Sequence, residues 1–305
     1  MSAWNKALDA ASVRDPGLRG DYTQQRKVIA RYRRSSYLAA RLLLPGPLVP
    51  HVIAATAFMH HGDNLLDGGP VPERATAYAQ WEKQVREALA TGGSDQPVIR
   101  PLLHTITAHP QLRGHVEDYL ATARTDLEFS GFPTEADYQA YVDQYSLPAF
   151  MLIACLLAPG NDPAGYRAAC RTYIDASQRL DFANDLAEDL RGGRLGIPAD
   201  VLQRYGVTRA DLESARDSAG TRELLQHLIG QAKATLEAAR PLVGIVPPAN
   251  RPLVRALIAL EELTADAAAA KGTALLRESA SPSAPAALGV LAREYTRARR
   301  LRRGR

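Results

Sequence analysis

The chain contains few of the features that mark secreted, membrane-spanning or metal–sulfur proteins. Only two of its 305 residues are cysteines. Cys155 and Cys170 lie in apolar surroundings without the spacing of a metal site, which predicts reduced core thiols and a cytoplasmic protein. No signal-peptide core follows Met1. No uncharged apolar run reaches about 18 residues, so we expect no stable membrane insertion.

The net charge of +4 does not describe most of the chain. Residues 293–305 contain seven arginines and one glutamate, a charge of +6, which leaves −2 for the rest of the chain. A body without a basic excess argues against nucleic-acid binding. The arginine-rich end is predicted to be a solvated, disordered tail, with weak contact to an anionic membrane surface as the alternative.

The residue pattern is helical nearly throughout. Ala, Leu, Arg, Glu and Gln predominate, and alternating runs of β-branched residues are scarce. Breakers such as Pro45-Gly46-Pro47 and Pro247-Pro248 divide the chain into about ten helices. We predict an all-α, single-domain fold over residues 25–279. An N-terminal segment, 1–24, precedes this domain, and a linker with the arginine-rich tail, 280–305, follows it.

The most informative segment runs from Gln178 to Asp189. Asp181, Asp185 and Asp189 recur every fourth residue, so on one continuous helix they would stack along one side. Like charges at this spacing repel one another, and buried carboxylates are costly unless they are paired or bind a metal. The segment therefore predicts a helix that binds a cation.

A second acidic pair, Asp63 and Asp67, lies upstream on an apolar helix that begins near Val49. Alone this pattern is weak, because a surface helix with two acids would look the same. Together, two acidic helices can supply oxygen ligands to Mg²⁺, which also bridges to phosphate oxygens. The acidic clusters contain no Glu-x-x-His pair, which argues against a di-iron bundle. They also contain more acids than the pair that a glycosidase uses.

A diphosphate bound by these metals would also need direct donors. Arg34 and Ser36 open an apolar helix, and the helix N-terminus with these side chains can bind phosphate oxygens. A serine N-cap with exposed arginines is the alternative interpretation. Arg194, just after the second acidic segment, is a further candidate.

These motifs resemble the squalene/phytoene synthase family. The matching segments are Ser35-Ser36-Tyr37 with Leu44-Pro45, Asp63-x-x-x-Asp67, and Gln178 through Asp189 with Gly193-Arg194 and Pro198. The resemblance covers roughly residues 25–270 and implies the isoprenoid synthase fold, with a central cavity between acidic helices. It also implies Mg²⁺-assisted ionisation of an allylic diphosphate. By resemblance, the metal ligands are Asp63, Asp67, Asp185 and Asp189, with Ser36 and Tyr37 near the diphosphate.

Seven positions depart from the family's usual residues. These are His60 and Asn184 in place of arginines, Asp181 in place of asparagine, Leu147 and Phe150 in place of glycines, and Gly196 and Glu261 in place of tyrosines. Losing two arginines and adding a carboxylate leaves less positive charge for a second diphosphate. Larger side chains in place of glycine narrow the channel for a long prenyl chain.

We therefore predict a Mg²⁺-dependent prenyltransferase that attaches a short prenyl group, preferably dimethylallyl, to an aromatic, carbazole-like small-molecule acceptor. Squalene-synthase-like prenyltransferases of bacterial secondary metabolism, which resemble this family, catalyse such reactions. The alternative is a head-to-head synthase that condenses two prenyl diphosphates. No oligomeric state is predicted.

The predicted site has two groups of residues. The predicted metal ligands are Asp63, Asp67, Asp181, Asp185 and Asp189. The predicted substrate-binding residues are Arg34, Ser36, Tyr37, His60, Tyr141, Tyr145, Phe150, Gln178 and Arg194. Adjacent histidines point about 100° apart on a helix, so both cannot face one site. The resemblance favours His60 as the one that does, and neutral packing is the alternative for either. The base stays open between the diphosphate itself, Asp143 and His60.

Overall fold

The computed structural model describes residues 2–32, 34–67, 69–127 and 129–303, and these contain no β-strand. The predicted all-α, single-domain fold is confirmed. The α-helices are α1 (Ala3–Ala10), α2 (Pro16–Tyr32), α3 (Arg34–Leu43), α4 (Leu48–Asp67), α5 (Val71–Thr91), α6 (Ile99–Ala108), α7 (Leu112–Thr122), α8 (Glu135–Tyr141), α9 (Leu147–Ala154), α10 (Pro163–Asn184), α11 (Leu186–Arg191), α12 (Ala199–Arg204), α13 (Arg209–Glu213), α14 (Ala219–Ala239), α15 (Leu242–Ile245), α16 (Arg251–Lys271) and α17 (Ala284–Arg303). Short 3₁₀ turns span Ala123–Asp126, Cys155–Leu157 and Gly272–Leu276, and a π-helical turn spans Val142–Ser146.

Helix α4 lies at the centre of the fold. It packs against α2, α5, α6 and α9, and 12 of its 20 residues are buried. A helix that is apolar on nearly every side must be covered by other elements. Its last turns carry Asp63 and Asp67, so the core holds both carboxylates in place.

The spacing of the second acidic segment predicted one continuous helix, but the structure divides this segment between two helices. Helix α10 ends at Asn184, because Asp185 has φ −95° and ψ 13°, and α11 begins at the next residue. The Asp185 amide still donates to Asp181 O at 2.8 Å, so the axis bends without a gap. The bend is anchored by Asn184, whose side chain pairs with the backbone N and O of Ala280 at 2.8 and 3.1 Å.

Within the described residues the arginine-rich end forms a packed helix, so the predicted disorder is wrong there, whereas its arginines are exposed as predicted. Helix α17 packs against α16 and α3. Its Glu294 side chain is 2% exposed and lies 2.8 Å from Arg255. Arg302 donates to the carbonyl oxygen of Leu44 at 2.6 Å. Charge counting missed this helix because its apolar inner face and single buried acid, rather than its net charge, determine its packing.

Two further predictions concern the ends and the interior. Helix α2 runs across the boundary predicted between residues 24 and 25. Cys155 and Cys170 are buried and free, as expected.

One segment, Glu135–Leu157, is long and apolar enough to span a membrane, which the absence of long uncharged apolar runs did not predict. Because 67% of its apolar window is buried inside the protein, it is weak evidence for a span.

A cluster of imidazoles lies between α4 and α6. His51 is 4% exposed, and its Nδ1 lies 3.1 Å from Thr105 Oγ1. Its ring stacks on His104 at 5.6 Å and meets His109 at 4.7 Å. Burial, together with the two neighbouring histidines, lowers the pKa of His51 to about 4.

This cluster predicts loss of stability in acid. An unfolded histidine, with a pKa near 6.5, binds a proton before the folded His51 does, so the free energy of unfolding falls as the pH drops from 6.5 towards 4. For His51 alone we expect a loss of about 2 kcal/mol at pH 5 relative to pH 7.5. Urea unfolding at both pH values measures the difference in the free energy of unfolding. Other histidines with lowered pKa values add to the measured difference, so His51→Gln should reduce it by about this amount and His227→Gln by less, and an unchanged difference in His51→Gln would contradict the assignment.

Candidate active site

Asp63 lies near the end of α4 and faces two phenols. Its Oδ1 accepts hydrogen bonds from Tyr119 Oη at 3.0 Å and from Tyr145 Oη at 3.2 Å. Gly62 permits the first contact, because a Cβ there would lie 2.6 Å from the Tyr119 hydroxyl. Burial raises the pKa of Asp63 to about 6, even though both phenols lower it.

Arg194 joins the two acidic segments. Its Nη1 lies 3.3 Å from Asp67 Oδ1, and its Nη2 lies 3.0 Å from Asp126 Oδ1. The guanidinium also lies 5.0 Å from the ring centre of Phe129. The residue before it, Gly193, has φ +79°, a conformation that favours glycine and turns the chain back after α11. The structure therefore places Arg194, chosen from the sequence for its position, beside the first acidic pair.

Asp126 is a site residue that the sequence did not predict. It is 3% exposed, and its Oδ1 accepts from Tyr141 Oη at 2.8 Å as well as from Arg194. It is a single acid on a short 3₁₀ turn and belongs to no periodic pattern. Only the fold brings it to Arg194, so no local signal marks it.

The second acidic segment approaches from the other side of Arg194. Burial raises the pKa of Asp189 to about 6, while Arg194 lowers it and the Asp185 carboxylate raises it. Asp185 is half-buried at the bend, and Asp181 is exposed one turn earlier. Carboxylates from α4 and from the α10–α11 bend therefore share the electrostatic field of one guanidinium.

The donors of this cluster suit a hard divalent cation. Across the described residues, no three acidic, histidine or cysteine side chains already converge as a metal centre. The carboxylates are nevertheless oxygen donors, the ligands that Mg²⁺ prefers. Burial raises the pKa values of Asp63, Asp67 and Asp189, so a bound cation would stabilise the charged forms that burial disfavours.

Two predicted substrate-binding residues, Tyr145 and Gln178, are connected through the π-helical turn. Tyr145 and Ser146 end this wider turn, a feature that often marks functional sites. Tyr145 bonds to Asp63, and Ser146 Oγ donates to Gln178 Oε1 at 3.0 Å. The turn thus links α4 to the acidic face of α10.

The predicted substrate-binding residues at the start of α3 differ in burial. Arg34 and Ser36 are exposed, and Tyr37 is buried in the main apolar core. Across the described residues, neither Arg34 nor Ser36 forms a hydrogen bond or ion pair with the acidic cluster. Their predicted contact with a diphosphate stays a prediction.

The orientation of His60 and the identity of the base stay predictions, and the structure shows what His60, His61 and Asp143 contact. The ring of His60 stacks on Tyr32 at 3.6 Å, on the side of α4 that packs against α2. His60 and His61 both border one cavity of about 120 Å³ beside α2, although their 100° separation predicted different surroundings. Asp143 forms an ion pair with Arg171 at 2.7 Å and is 52% exposed, so its carboxylate is held at the surface.

At three other positions that depart from the family's usual residues, the structure shows which groups of this chain each residue contacts. A Cβ at Gly196 would lie 2.1 Å from the ring of Phe182, so Phe182 fills the space of any side chain at that position. Phe150 packs against Tyr173 with ring centres 5.3 Å apart. Asn184, at the bend, faces the backbone of Ala280 and not the acids of α4.

Comparison with protein families matches residues 29–286 to squalene/phytoene synthase. The chain belongs to this family. A phytoene synthase from Arthrospira platensis is 25% identical over 252 residues, covering 77% of this chain and 80% of that protein. The bifunctional protein CrtB/UppS from Streptomyces coelicolor is 29% identical over 207 residues, covering 68% of this chain but 36% of that protein.

Solved structures show the same fold at low identity. A dehydrosqualene synthase has a TM-score of 0.81 at 20% identity, covering 92% of this chain and 96% of its own. Squalene synthase HpnC from Alicyclobacillus acidocaldarius has a TM-score of 0.74 at 23% identity, covering 88% and 99%. The chain spans less than half the length of the Streptomyces relative and of a Phaeosphaeria nodorum relative, at 36% and 43%. Members of this family are prenyltransferases.

We expect Asp126→Asn to disorganise the site, because it removes the buried charge that holds Arg194. Turnover of a prenyl diphosphate should fall by at least about tenfold, since small misplacements at a reacting centre are costly. Steady-state kinetics with circular dichroism as a check on folding measures this. Asp118→Asn, an exposed acid on α7, is the matched control, and equal activity of the two variants would contradict the role of Asp126.

Gly196→Ala should destabilise the fold by about 1–3 kcal/mol, because the new methyl group overlaps the ring of Phe182. Adding Phe182→Ala to this variant should recover part of the loss relative to additivity. Urea unfolding of the two single variants and the double variant gives the interaction energy. Gly230→Ala is the control, since a Cβ there meets no atom within 4 Å, and a loss equal to that of Gly196→Ala would refute the clash.

Proposed function

We propose that this protein ionises one short allylic diphosphate, with dimethylallyl preferred, and transfers the prenyl group to an aromatic, carbazole-like acceptor. The family supports prenyl transfer of the squalene/phytoene synthase type. The observation that supports the narrower proposal is the charge balance of the site. Arg194 pairs with Asp67 and Asp126 and lowers the pKa of Asp189, and Asp63 and Asp185 lie within electrostatic range of these acids.

The two lost arginines are not replaced by other cations at those positions. Asn184 is neutral and is paired with the backbone of Ala280. His60 stacks on Tyr32 on the α2 side of α4. A head-to-head synthase must neutralise two diphosphates, whereas one diphosphate and an uncharged acceptor need less positive charge.

The acidic residues would hold Mg²⁺ between α4 and the α10–α11 bend, with Asp63 and Asp67 on one side and Asp181, Asp185 and Asp189 on the other. Bound there, Mg²⁺ would supply positive charge to the departing diphosphate. Arg194 would donate to the same oxygens in bidentate fashion.

The chain's own residues would shape the chemistry that follows. As the C1–O bond breaks, the diphosphate takes the electron pair and an allylic cation remains. Phe129, Phe182 and Tyr141 form an aromatic cluster beside Arg194 that would keep water from the cation. An electron-rich ring carbon of the acceptor then forms the new C–C bond, and a proton leaves the acceptor. A cytoplasmic location remains a prediction.

The second candidate is a head-to-head synthase that joins two prenyl diphosphates. Its support is the set of relatives named phytoene synthase, such as the protein from Arthrospira platensis. The larger residues Leu147 and Phe150 and the acid-rich charge balance favour the first candidate.

Product analysis separates the two candidates. The protein is incubated with Mg²⁺ and dimethylallyl, geranyl, farnesyl or geranylgeranyl diphosphate, with and without a hydroxycarbazole or hydroxyindole. We expect a prenylated aromatic product, and the fastest reaction with dimethylallyl diphosphate. Asp63→Asn and Asp185→Asn should each lower the rate by about 100-fold or more, whereas Asp118→Asn should not.

Formation of a C30 or C40 product from farnesyl or geranylgeranyl diphosphate alone would sink the aromatic-acceptor proposal. Full turnover in both aspartate variants would refute the metal site independently of the acceptor.

A further inference from the structure

The cavity of about 120 Å³ beside α2 lies between α2, α4 and the residues just before α6. Its floor includes three buried residues, since Gln25 is 4% exposed, Ala57 6% and His60 7%. Its rim includes Val28, which is 45% exposed. The cavity is therefore a recess with a buried floor and an open mouth.

The side chain of Gln25 leaves one buried acceptor atom in this floor unpaired. Its Nε2 donates to the carbonyl oxygens of Pro97 and Val98 at 2.9 and 3.3 Å. Its Oε1 is buried and has no hydrogen-bond partner among the described residues. Because a buried carbonyl oxygen without a donor is costly, this atom calls for an N–H or O–H group from a molecule in the cavity.

The lining of the cavity suits a neutral molecule. Among the described residues that form it there is no lysine or arginine. The carboxylate of Asp21 is held by Arg100 at 2.6 and 2.8 Å. Burial lowers the pKa of His61, which keeps this imidazole neutral near pH 7. A diphosphate would find little positive charge here.

Apolar side chains supply much of the remaining lining, and they come from Val28, Ala57, Pro97 and Val98. A dry apolar cavity of about 150 Å³ binds benzene, so this recess has room for about one ring. A larger fused ring system would extend through the open mouth. The combination of aliphatic walls and one unpaired carbonyl oxygen therefore fits a flat ring that carries an N–H group.

The mouth of the cavity lies close to the acidic end of α4. Asn64 lines the cavity, and Asp67 follows three residues later, so both lie on one side of the helix. Their Cα atoms are separated by about 4.5 Å along the helix axis. Both residues are exposed. A molecule that protrudes from the mouth past Asn64 therefore comes near a predicted metal ligand.

We propose that this cavity binds the aromatic acceptor, with a ring N–H donating to Gln25 Oε1 and the reacting ring extending past Asn64 towards Asp67. The inference rests on the proposed function. It gives the neutral substrate a site of its own on the α2 side of α4, while the acids and Arg194 bind the charged substrate. An arginine at residue 60, the family's usual residue, would bring a longer and charged side chain into the floor.

The first test fills the mouth and leaves the buried floor unchanged. Val28→Trp enlarges a rim residue, and Leu288→Trp is the matched control because Leu288, on α17, is 61% exposed and lies outside the cavity. The probes are a hydroxycarbazole and the unreactive dimethylallyl thiodiphosphate with Mg²⁺, each measured by titration calorimetry. We expect Val28→Trp to weaken hydroxycarbazole binding and raise its KM by at least about tenfold, and to change thiodiphosphate binding less than about twofold. Leu288→Trp should change neither.

The second test isolates the hydrogen bond to Gln25. A hydroxydibenzofuran has the shape of a hydroxycarbazole but carries an oxygen in place of the N–H. The wild-type protein should bind the hydroxycarbazole about tenfold more tightly, because the analogue leaves Gln25 Oε1 unpaired. Gln25→Met should abolish this preference. A merely structural role of Gln25 would weaken both ligands equally and leave the preference intact.

The outcomes separate this inference from the proposed function. Wild-type acceptor binding in Val28→Trp, or an unchanged preference in Gln25→Met, would overturn the inference and leave the proposed function standing. Equal loss of thiodiphosphate and hydroxycarbazole binding in Val28→Trp would also overturn it, because that pattern indicates collapse of the site. A wild-type enzyme that gives only C30 or C40 products would overturn the proposed function, and the acceptor role of the cavity would fall with it.

Discussion

The arrangement of acidic residues depends on the ion pairs of Arg194 with Asp67 and Asp126. Carboxylates gathered in a partly buried space repel one another strongly, because the local dielectric screens charge less than water does. A half-buried guanidinium between two of them offsets that repulsion and also fixes their positions. Arg194 lies at the end of a turn after α11, so this single side chain ties the α10–α11 bend to α4.

Phenol hydroxyl groups supply the remaining stabilisation. Tyr119 and Tyr145 donate to Asp63, and Tyr141 donates to Asp126. Neutral donors satisfy a carboxylate without cancelling its charge, so these acids stay available to bind a cation. Gly62 is part of this arrangement, because the Tyr119 hydroxyl occupies the space that a side chain at residue 62 would need. The packing around α4 therefore leaves room for the hydrogen bond from Tyr119 to Asp63.

Much of the fold was predictable because it rests on local patterns. Helical periodicity gave the all-α class, and the repeated spacing of Asp63 and Asp67 marked one acidic helix. Features of the fold and the site that depend on contacts between distant segments were not predicted. Asp126 has no pattern of its own, and the packing of α17 depends on Glu294 meeting Arg255. For His60 and His61, a helical repeat fixes the angle between the side chains but not the element that each one meets.

Several residues that depart from the family's pattern have a partner in this chain. Asn184 pairs with the backbone of Ala280, which fixes the bend between α10 and α11. An arginine at that position would lose both hydrogen bonds, so a single reversion would disturb the bend before it could add a useful charge. Glu261 is likewise matched by Ser177. Random decay would leave such groups without partners, since buried polar atoms are costly when unpaired. The contacts therefore argue that the fold accommodates these residues and that they did not arise by random decay.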